Sequence, residues 1–445
     1  MKKIYILHIL TALILVTSSC KNILDLSPAQ SLDNDAALST DESVKQVLLG
    51  AYTRFGADGL YGGDVLRNAE LYAGFGEILW VGTFIEPAEI FNRNILTANF
   101  DVLNLWSDAY ECINSCNNVL SALDVVEAAD RNKVEGEARC LRAWCYFMLI
   151  QNFGQQYETG IINIQPGVPL VLTPTTNFDE SDFVTRNSVE EVYAQIILDL
   201  TTAESLLPLT NGVYANKNVA DAILSRVYLQ QGDFANARDA ADKVISTNKF
   251  DLLENYADCF NQDAATDEDI FSIQISDQEG INNMNTYFAI TTNGGRGDIE
   301  IETAHLDLYN DLDTRKALFT LSSSAWRSGK WNNRFGNIGA IRLAEMFLIR
   351  AECNHRLSTE IGDTPLNDYN TIHTRAGLDT ALVVTLDDIL LERRLELAHE
   401  GFKVFDNKRL HIDIGTTPWN SDKMIYPIPQ SEMDVNSNLT QNPGY

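Results

Sequence analysis

The stretch that most constrains the fold is residues 218–250, where two amphipathic helical runs meet at a single glycine. Apolar residues recur at three- and four-residue spacing on both sides of Gly232: Ala222, Leu224, Val227, Tyr228, Ala237, Ala240, Ala241 and Val244. This spacing places them on one face of each helix. Because only Gln231-Gly232-Asp233 joins the two runs, the segment is predicted to form an antiparallel helical hairpin.

Part of this hairpin resembles the tetratricopeptide pattern, in which small residues let two helices approach closely. The matching positions are Leu224, Ser225, Tyr228, Gly232 and Ala237. Lys249 stands where that pattern has its closing proline. The resemblance favours a protein that binds or positions partners over an enzyme, although any helical hairpin would share this spacing.

Helical periodicity returns in several other parts of the chain. Residues 133–153 are nearly all apolar after Leu141 and are expected to be central, and Ser188 with Glu191 forms a capping box before the next helix. We predict one domain over residues 41–445, with tetratricopeptide-like units near 103–154, 189–250, 341–376 and 386–400. Glycines interrupt the pattern over 56–99, and 282–337 is also irregular, so both are expected to be loop-rich and to carry aromatic side chains.

The first twenty residues read as a secretory signal. Lys2 and Lys3 precede an apolar run that is too short to span a bilayer, and small residues then lead into Cys20. This resembles a bacterial lipobox, with Thr17 where that motif usually has Leu. We predict a signal peptide over 1–19, lipidation of Cys20 and a tether over 20–40, which would anchor the chain to a membrane. Ordinary signal cleavage is the alternative.

The net charge of −29 makes nucleic acid an unlikely partner, because an acidic surface repels phosphate. The six later cysteines show no metal-binding spacing and are expected to be buried apolar residues: Cys112, Cys116, Cys140, Cys145, Cys259 and Cys353. A disulfide between 112–116 and 140–145 is allowed but not indicated. We predict no metal and no cofactor.

Two acidic patterns could carry chemistry. Glu392, Glu396 and Glu400 lie on one helical face beside arginines, which favours structural ion pairs over a glycosidase pair. The acidic cluster of Asp263, Asp267, Glu268 and Asp269 lacks the spacing of a calcium loop and is expected to be a solvated turn. No catalytic residue is predicted.

The chain as a whole resembles the RagB/SusD family of outer-membrane nutrient-uptake lipoproteins. The matching segments, in family order, are Cys20 with Leu24-Asp25-Leu26; Trp106, Tyr110, Ile113 and Asn117; Glu137-Ala138, Leu141-Arg142-Ala143 and Tyr146-Phe147; Arg375-Ala376-Gly377-Leu378; Glu392-Arg393-Arg394; Tyr426-Pro427-Ile428-Pro429; and Gln441-Asn442-Pro443-Gly444-Tyr445. A longer insert than usual separates Gly154 from Val168.

The resemblance implies a mostly α-helical, SusD-like single domain with an irregular side that faces ligand. It also implies a non-enzymatic protein that captures oligosaccharide, or peptide in some members, at the cell surface. Its expected partner is a SusC-like TonB-dependent transporter in the outer membrane. A tetratricopeptide scaffold for proteins and, more distantly, a glycoside hydrolase remain alternatives.

The family motifs do not identify ligand contacts, so we predict these from chemistry. Sugars stack on flat aromatic faces and bond to amide and guanidinium groups. The two loop-rich regions supply both. We predict Trp80, Trp326 and Trp331 as stacking residues, and Asn68 and Arg334 as hydrogen-bonding residues.

Overall fold

The computed structural model describes residues 37–175, 183–276 and 280–445, and the predicted signal peptide and Cys20 lie outside these ranges. The described chain is rich in helix, which confirms the predicted fold class. The helices are α1 (Asp41–Phe55), α2 (Asp64–Tyr72), α3 (Ile85–Phe91), α4 (Phe100–Ser121), α5 (Arg131–Phe153), α6 (Val189–Leu206), α7 (Lys217–Gln231), α8 (Phe234–Ser246), α9 (Asn283–Phe288), α10 (Thr303–Leu306), α11 (Leu343–Leu357), α12 (Pro365–Arg375), α13 (Leu386–Glu396), α14 (Lys403–Arg409) and α15 (Gln430–Val435).

The long helices pack as a continuous array in which most neighbours in sequence are neighbours in space. Helix α5 lies between α4 and α6, and α7 and α8 follow as a pair. Helix α8 then contacts α11, which packs against α12 and α13. This is the arrangement of stacked helical hairpins, in which each hairpin buries its apolar face against the next.

The predicted hairpin is present as α7 and α8. Leu224, Ser225 and Ala237 are buried at its centre. Gly232 ends α7 with a left-handed φ of 71°, and its N–H donates to the carbonyl oxygens of Tyr228 and Leu229. A side chain there would also clash, since a Cβ atom would lie 2.3 Å from Thr159 Oγ1. Both the left-handed conformation and the nearby Thr159 side chain therefore favour glycine at this position.

Local capping explains where α6 begins. Ser188 Oγ accepts a hydrogen bond from the Glu191 backbone N–H, and Glu191 accepts one from the Ser188 N–H at 2.8 Å. Both halves of the predicted capping box are formed, which satisfies two backbone donors at the helix end.

The predicted cysteine environment is also confirmed. All six described cysteines are buried free thiols. Burial raises the pKa of Cys140 and Cys353 above the ordinary thiol range, as expected of structural side chains.

Two small antiparallel sheets lie beside the helical array. Strands β1 (Ile78–Trp80), β3 (Ile299–Ile301), β5 (Ala325–Ser328) and β4 (Phe319–Ser322) form one sheet in that order, and β2 (Asp269–Ile273) pairs with β6 (Ile338–Arg342) in the other. Ser323 and Ser324 form the two-residue turn between β4 and β5, and both have positive φ, 51° and 69°. The region predicted to be irregular thus contains short strands as well as loops.

Candidate functional site

The two loop-rich regions that were predicted to hold ligand contacts meet in space. Antiparallel pairing places Trp80 of β1 opposite Ile299 of β3, and α9 lies just before β3 in the chain. The ring centroid of Tyr287 lies 5.9 Å from that of Trp80 and 6.2 Å from that of Phe84. We call Trp80, Phe84 and Tyr287 the aromatic seam.

An arginine supports the seam from within the protein. The guanidinium carbon of the fully buried Arg67 lies 4.1 Å from the centroid of the Tyr287 ring. Arg67 Nη1 donates to Asp64 Oδ1 at 2.8 Å, and Nη2 pairs with Asp101. Asn68 Nδ2 also donates to Asp101, at 3.3 Å. These contacts fix the guanidinium beneath the tyrosine ring, in a favourable cation–π arrangement.

The two aspartates that pair with Arg67 are largely buried, which raises their pKa values. Burial raises the pKa of Asp64 to about 7, although the nearby Arg67 acts in the opposite direction. Burial also raises the pKa of Asp101. Perturbed acids of this kind are concentrated at functional sites, but structural clusters produce them as well.

A second arginine covers the outer edge of the seam. The Arg296 guanidinium carbon lies 4.5 Å from the Phe84 centroid. Its Nε donates to Asp298 at 2.6 Å, and its Nη2 donates to Thr83 Oγ1 at 3.3 Å. Because the Arg296 side chain is 41% exposed, it presents guanidinium surface to solvent.

The seam is also bordered by apolar side chains that remain in contact with water. Phe84 itself is 43% exposed. Three aliphatic neighbours in the same segment are similarly exposed: Leu79, Val81 and Ile85. A rigid interior with an exposed aromatic and apolar border is a typical binding surface.

The five predicted contact residues lie in four different settings. Trp80 is in the seam but mostly buried, and its indole N–H has no partner among the described residues. Trp326 is partly buried on β5, where it pairs with Leu321 of β4 and Ile301 of β3. Arg334 is exposed, and its guanidinium lies 5.8 Å from the centroid of the Phe335 ring.

Asn68 and Trp331 are both buried, at 3% and 4% exposure. Trp331 Nε1 donates to the His399 carbonyl oxygen at 3.1 Å, and its ring packs against Phe260, outside the seam. In this structure neither side chain offers a free face, because the protein interior uses both. The structure therefore brings Trp80 to the seam and does not bring Trp331 there.

The solvent-accessible side chains of the seam and its outer edge are Phe84, the partly buried Tyr287, and Arg296. All three lie in the two predicted regions, but the sequence does not show which aromatics turn outward. The pattern of β1 gives a partial indication, since Trp80 and Ile78 are buried while Leu79 between them is exposed. Alternation along a strand of three residues is too short to identify that strand in advance.

Glu392 and Glu396 of α13, and Glu400 in the turn that follows it, belong to the scaffold. Glu392 accepts from Arg315 Nη1 at 2.6 Å, and the buried Glu400 pairs with Lys330 Nζ at 2.6 Å. Glu396 lies between Arg315, Arg342 and Arg375. Burial alone would raise the pKa of Glu396, but these arginines outweigh it and hold that pKa far below its usual range. The glutamates form ion pairs as predicted, but their partners come from distant segments. The adjoining Arg393 and Arg394 pair instead with Asp406 and Glu77.

The prediction of a solvated turn is wrong for Glu268. This carboxylate is fully buried and accepts from Arg342 Nη1 and Arg375 Nη1, both at 2.6 Å. The sequence alone did not indicate these partners, which come from distant segments. We call Arg315, Lys330, Arg342 and Arg375, together with their partners Glu268, Asp313, Glu392, Glu396 and Glu400, the ion-pair network.

A stacked helical scaffold with an aromatic surface on its irregular side defines a class of helical binding proteins. The chain belongs to the SusD/RagB family. A family described as "Starch-binding associating with outer membrane" matches residues 22–229, and the SusD family matches residues 313–420 and 411–445.

Individual relatives agree with this assignment. SusD-like protein P2 of Formosa agariphila is 26% identical, with the whole of both chains covered. A SusD superfamily protein from Bacteroides thetaiotaomicron has a TM-score of 0.82 at 25% identity, covering 91% of this chain and 100% of that one. The surface glycan-binding protein A of Bacteroides uniformis has the same fold, with a TM-score of 0.77 at 23% identity, over 91% of this chain and 99% of its own.

Within the ranges that the structure describes, no helix has the length and apolar character needed to cross a bilayer.

Proposed function

We propose that this protein captures oligosaccharide at the outer membrane surface and delivers it to a SusC-like TonB-dependent transporter, without catalysing a reaction. Membership of the SusD/RagB family supports carbohydrate binding, since one matching family is described as starch-binding and associated with the outer membrane. The observation that carries the proposal is the aromatic seam. It joins partly exposed rings to a solvent-facing guanidinium on a rigid base.

The chemistry of the seam suits neutral sugars. The apolar face of a pyranose ring packs against Phe84 and Tyr287, while hydroxyl groups accept hydrogen bonds from Arg296. Arg67 beneath Tyr287 holds that ring in place before ligand arrives, which reduces the entropic cost of binding.

We assign graded roles to the five predicted contact residues. Trp326 and Arg334 keep accessible surface and extend the binding face beyond the seam. Trp80 contributes mainly by supporting Tyr287. Asn68 acts through Asp101 and Arg67, and Trp331 braces the interior, so their substitution should affect ligand only indirectly.

The burial and ion pairing of three glutamates support the absence of catalysis. The carboxylates of Glu392, Glu396 and Glu400 are buried and paired with arginine or lysine. Paired and desolvated carboxylates of this kind cannot readily act as general acid and nucleophile on a sugar. If purified protein hydrolysed a glycan, this part of the proposal would be wrong.

A glycan array followed by calorimetry tests the binding proposal. The double variant Phe84→Ala/Tyr287→Ala should weaken binding of the best oligosaccharide by at least tenfold, because two stacking faces are lost. Phe100→Ala is the matched control, since Phe100 is an exposed aromatic at the start of α4. Equal affinity for the double variant and the control would exclude the seam as the site.

Anchoring and delivery require separate tests. Cys20→Ala should release the protein from the outer-membrane fraction, and unchanged fractionation would refute the lipid anchor. Co-purification with a barrel transporter encoded beside this protein would support delivery. A tight protein partner together with no glycan binding would instead favour the tetratricopeptide scaffold alternative.

A further inference from the structure

A cavity of about 460 Å³ lies apart from the aromatic seam. It is bounded by the end of α2 and the segment leading into β1 on one side, and by α13, α14 and the chain that follows α14 on the other. Trp80, Phe84 and Tyr287 are not among its lining residues. Its volume is in the range of small-molecule sites in proteins.

Aliphatic and charged side chains both line the cavity. The lining apolar side chains include Ile78, Leu390, Leu397, Leu410 and Ile414. At its mouth Phe75, Leu391 and Ile412 remain exposed, with Phe75 at 57%. Exposed apolar side chains around an apolar cavity are costly in water, and a ligand with an apolar group would cover them.

The cations that line the cavity are already occupied. Lys403 Nζ lies 2.7 Å from Glu77 Oε1, and Arg394 pairs with the same carboxylate. Arg393 and Arg409 pair with Asp406, at 2.9 and 2.7 Å. Each lysine and arginine in the wall therefore has an acidic partner, so the cavity offers no free cation to an anionic ligand.

Some of the carboxylates that line the cavity form no ion pair with another described residue. Asp387 and Asp413 are exposed at the mouth and form no ion pair within the described chain. Glu70 lies deeper and is 3% exposed, with only backbone N–H donors, those of Gly401 and Phe402. Burial raises the pKa of Glu70 to about 7. The cavity is thus rich in acceptors that lack a cation.

We propose that this cavity binds an amphipathic organic cation, an aliphatic or aromatic group that carries a primary ammonium. The apolar group would fill the space between Leu390, Leu397 and Leu410. The ammonium would lie at the mouth, which the carboxylates of Asp387 and Asp413 both line. This inference concerns a second site and does not depend on the proposed glycan function.

Other ligand classes fit the cavity less well. Sugars favour flat aromatic faces, and the aromatic residue at the mouth, Phe75, has its ring packed against Gly415. Anions would meet unpaired carboxylates and no unpaired cation. Asp413 Oδ1 accepts a hydrogen bond from the Trp419 backbone N–H at 3.0 Å, but neither Asp387 nor Asp413 forms an ion pair within the described chain. A neutral apolar molecule would leave both without a cation, so the ammonium provides the selectivity.

Isothermal calorimetry with L-leucinamide at pH 6.5 tests the proposal, because an α-amino group of pKa near 8 is charged there. We expect saturable binding to one site. The neutral isostere 4-methylpentanamide has the same carbon skeleton without the amine, and it should bind at least fivefold more weakly. Absence of saturable leucinamide binding, or equal binding of the two compounds, would overturn the proposal.

Variants locate the site. Asp387→Asn/Asp413→Asn should weaken leucinamide binding at least fivefold, while Glu42→Gln/Glu254→Gln, which removes the same charge from exposed acids elsewhere, should not. Leu390→Trp should abolish binding by filling the cavity, with thermal unfolding as the check on folding. If the asparagine and glutamine variants bind alike, the mouth carboxylates are not the recognition groups.

The two proposed sites can be distinguished in one experiment. Phe84→Ala/Tyr287→Ala should lose oligosaccharide and keep leucinamide, and Asp387→Asn/Asp413→Asn should do the reverse. Displacement of leucinamide by the best oligosaccharide would show that the cavity belongs to the glycan site and would overturn the assignment to a cation.

Discussion

The ion-pair network and the aromatic seam both depend on buried arginine, but they use it differently. Arg342 directs its donors to Glu268, Glu396 and Glu400, all of them buried. Arg67 directs its edge to two aspartates and leaves its face against Tyr287. In the network, charges neutralise one another and fix how helices pack. In the seam, the same side chain orients the partly buried ring of Tyr287, which we propose as a ligand contact.

We expect the largest effect on stability from a substitution that disrupts the ion-pair network. Arg342→Met should lower the free energy of unfolding by about 3–5 kcal/mol, because three buried carboxylates lose a common partner. Denaturant unfolding followed by circular dichroism measures this.

Lys316→Met is the control, since its ion pair with the exposed Asp311 should contribute within about 0.5 kcal/mol. A loss for Arg342→Met no larger than that of the control would contradict the structural role of the network.

The next prediction concerns Glu70, a buried acid that has no ion pair among the described residues, unlike the acids of the network. It should make the stability of the protein depend on pH. Glu70 has an ordinary pKa of 4.5, raised by burial to about 7 against the effect of Lys403. Between these pH values the folded protein keeps a proton that the unfolded chain releases. Stability therefore falls as pH rises through this window, by about 3 kcal/mol at most.

Glu70→Gln keeps an acceptor for the Gly401 and Phe402 N–H groups and cannot titrate. The unfolding free energy of the wild type minus that of Glu70→Gln should therefore decrease as pH rises from 4.5 to 7.5. A difference that is constant with pH would contradict the raised pKa.

A third change tests to which region Trp331 belongs. Trp331→Phe removes the hydrogen bond to the His399 carbonyl and should cost about 1 kcal/mol of stability. Glycan affinity should stay the same, because the ring lies outside the seam. A weakened affinity without loss of stability would place Trp331 at the ligand after all.

The smallest effect concerns the outer edge of the seam. Arg296→Gln removes the guanidinium above Phe84 and should reduce glycan affinity about two- to threefold, consistent with about 0.5 kcal/mol for an exposed cation–π and hydrogen-bonding group. The unfolding midpoint should not move, since Arg296 is largely solvated. Calorimetry on the same oligosaccharide measures the affinity, and a shifted midpoint would show that Arg296 supports the fold instead.

The helical scaffold could be predicted because its determinants are local. The apolar spacing around Gly232 and the capping box at Ser188 and Glu191 lie within single segments, and both are formed as expected. The ionic role of Glu392 and Glu396 could also be predicted, but their partners Arg315 and Arg342 could not, because these come from distant segments.

The candidate site could be predicted only to the level of regions. Strands β1 and β3 are three residues long and far apart in sequence, so neither periodicity nor spacing reveals that they pair. Trp331 stands among glycine, serine and asparagine, which indicates an exposed loop, yet the turn at Gly329–Trp331 directs its ring towards Phe260. Burial of single aromatics is decided by long-range contacts.

The turn at Ser323 and Ser324 offers a way to change the rigidity of the β4–β5 hairpin. Two consecutive residues with positive φ form a turn that asparagine and glycine adopt more readily than serine does. Replacing the pair with Asn-Gly would stiffen the β4–β5 hairpin, which carries Trp326, while leaving every proposed ligand-contacting side chain in place. Loop rigidity could then be tuned independently of the chemistry of recognition, and its contribution to capture kinetics measured directly.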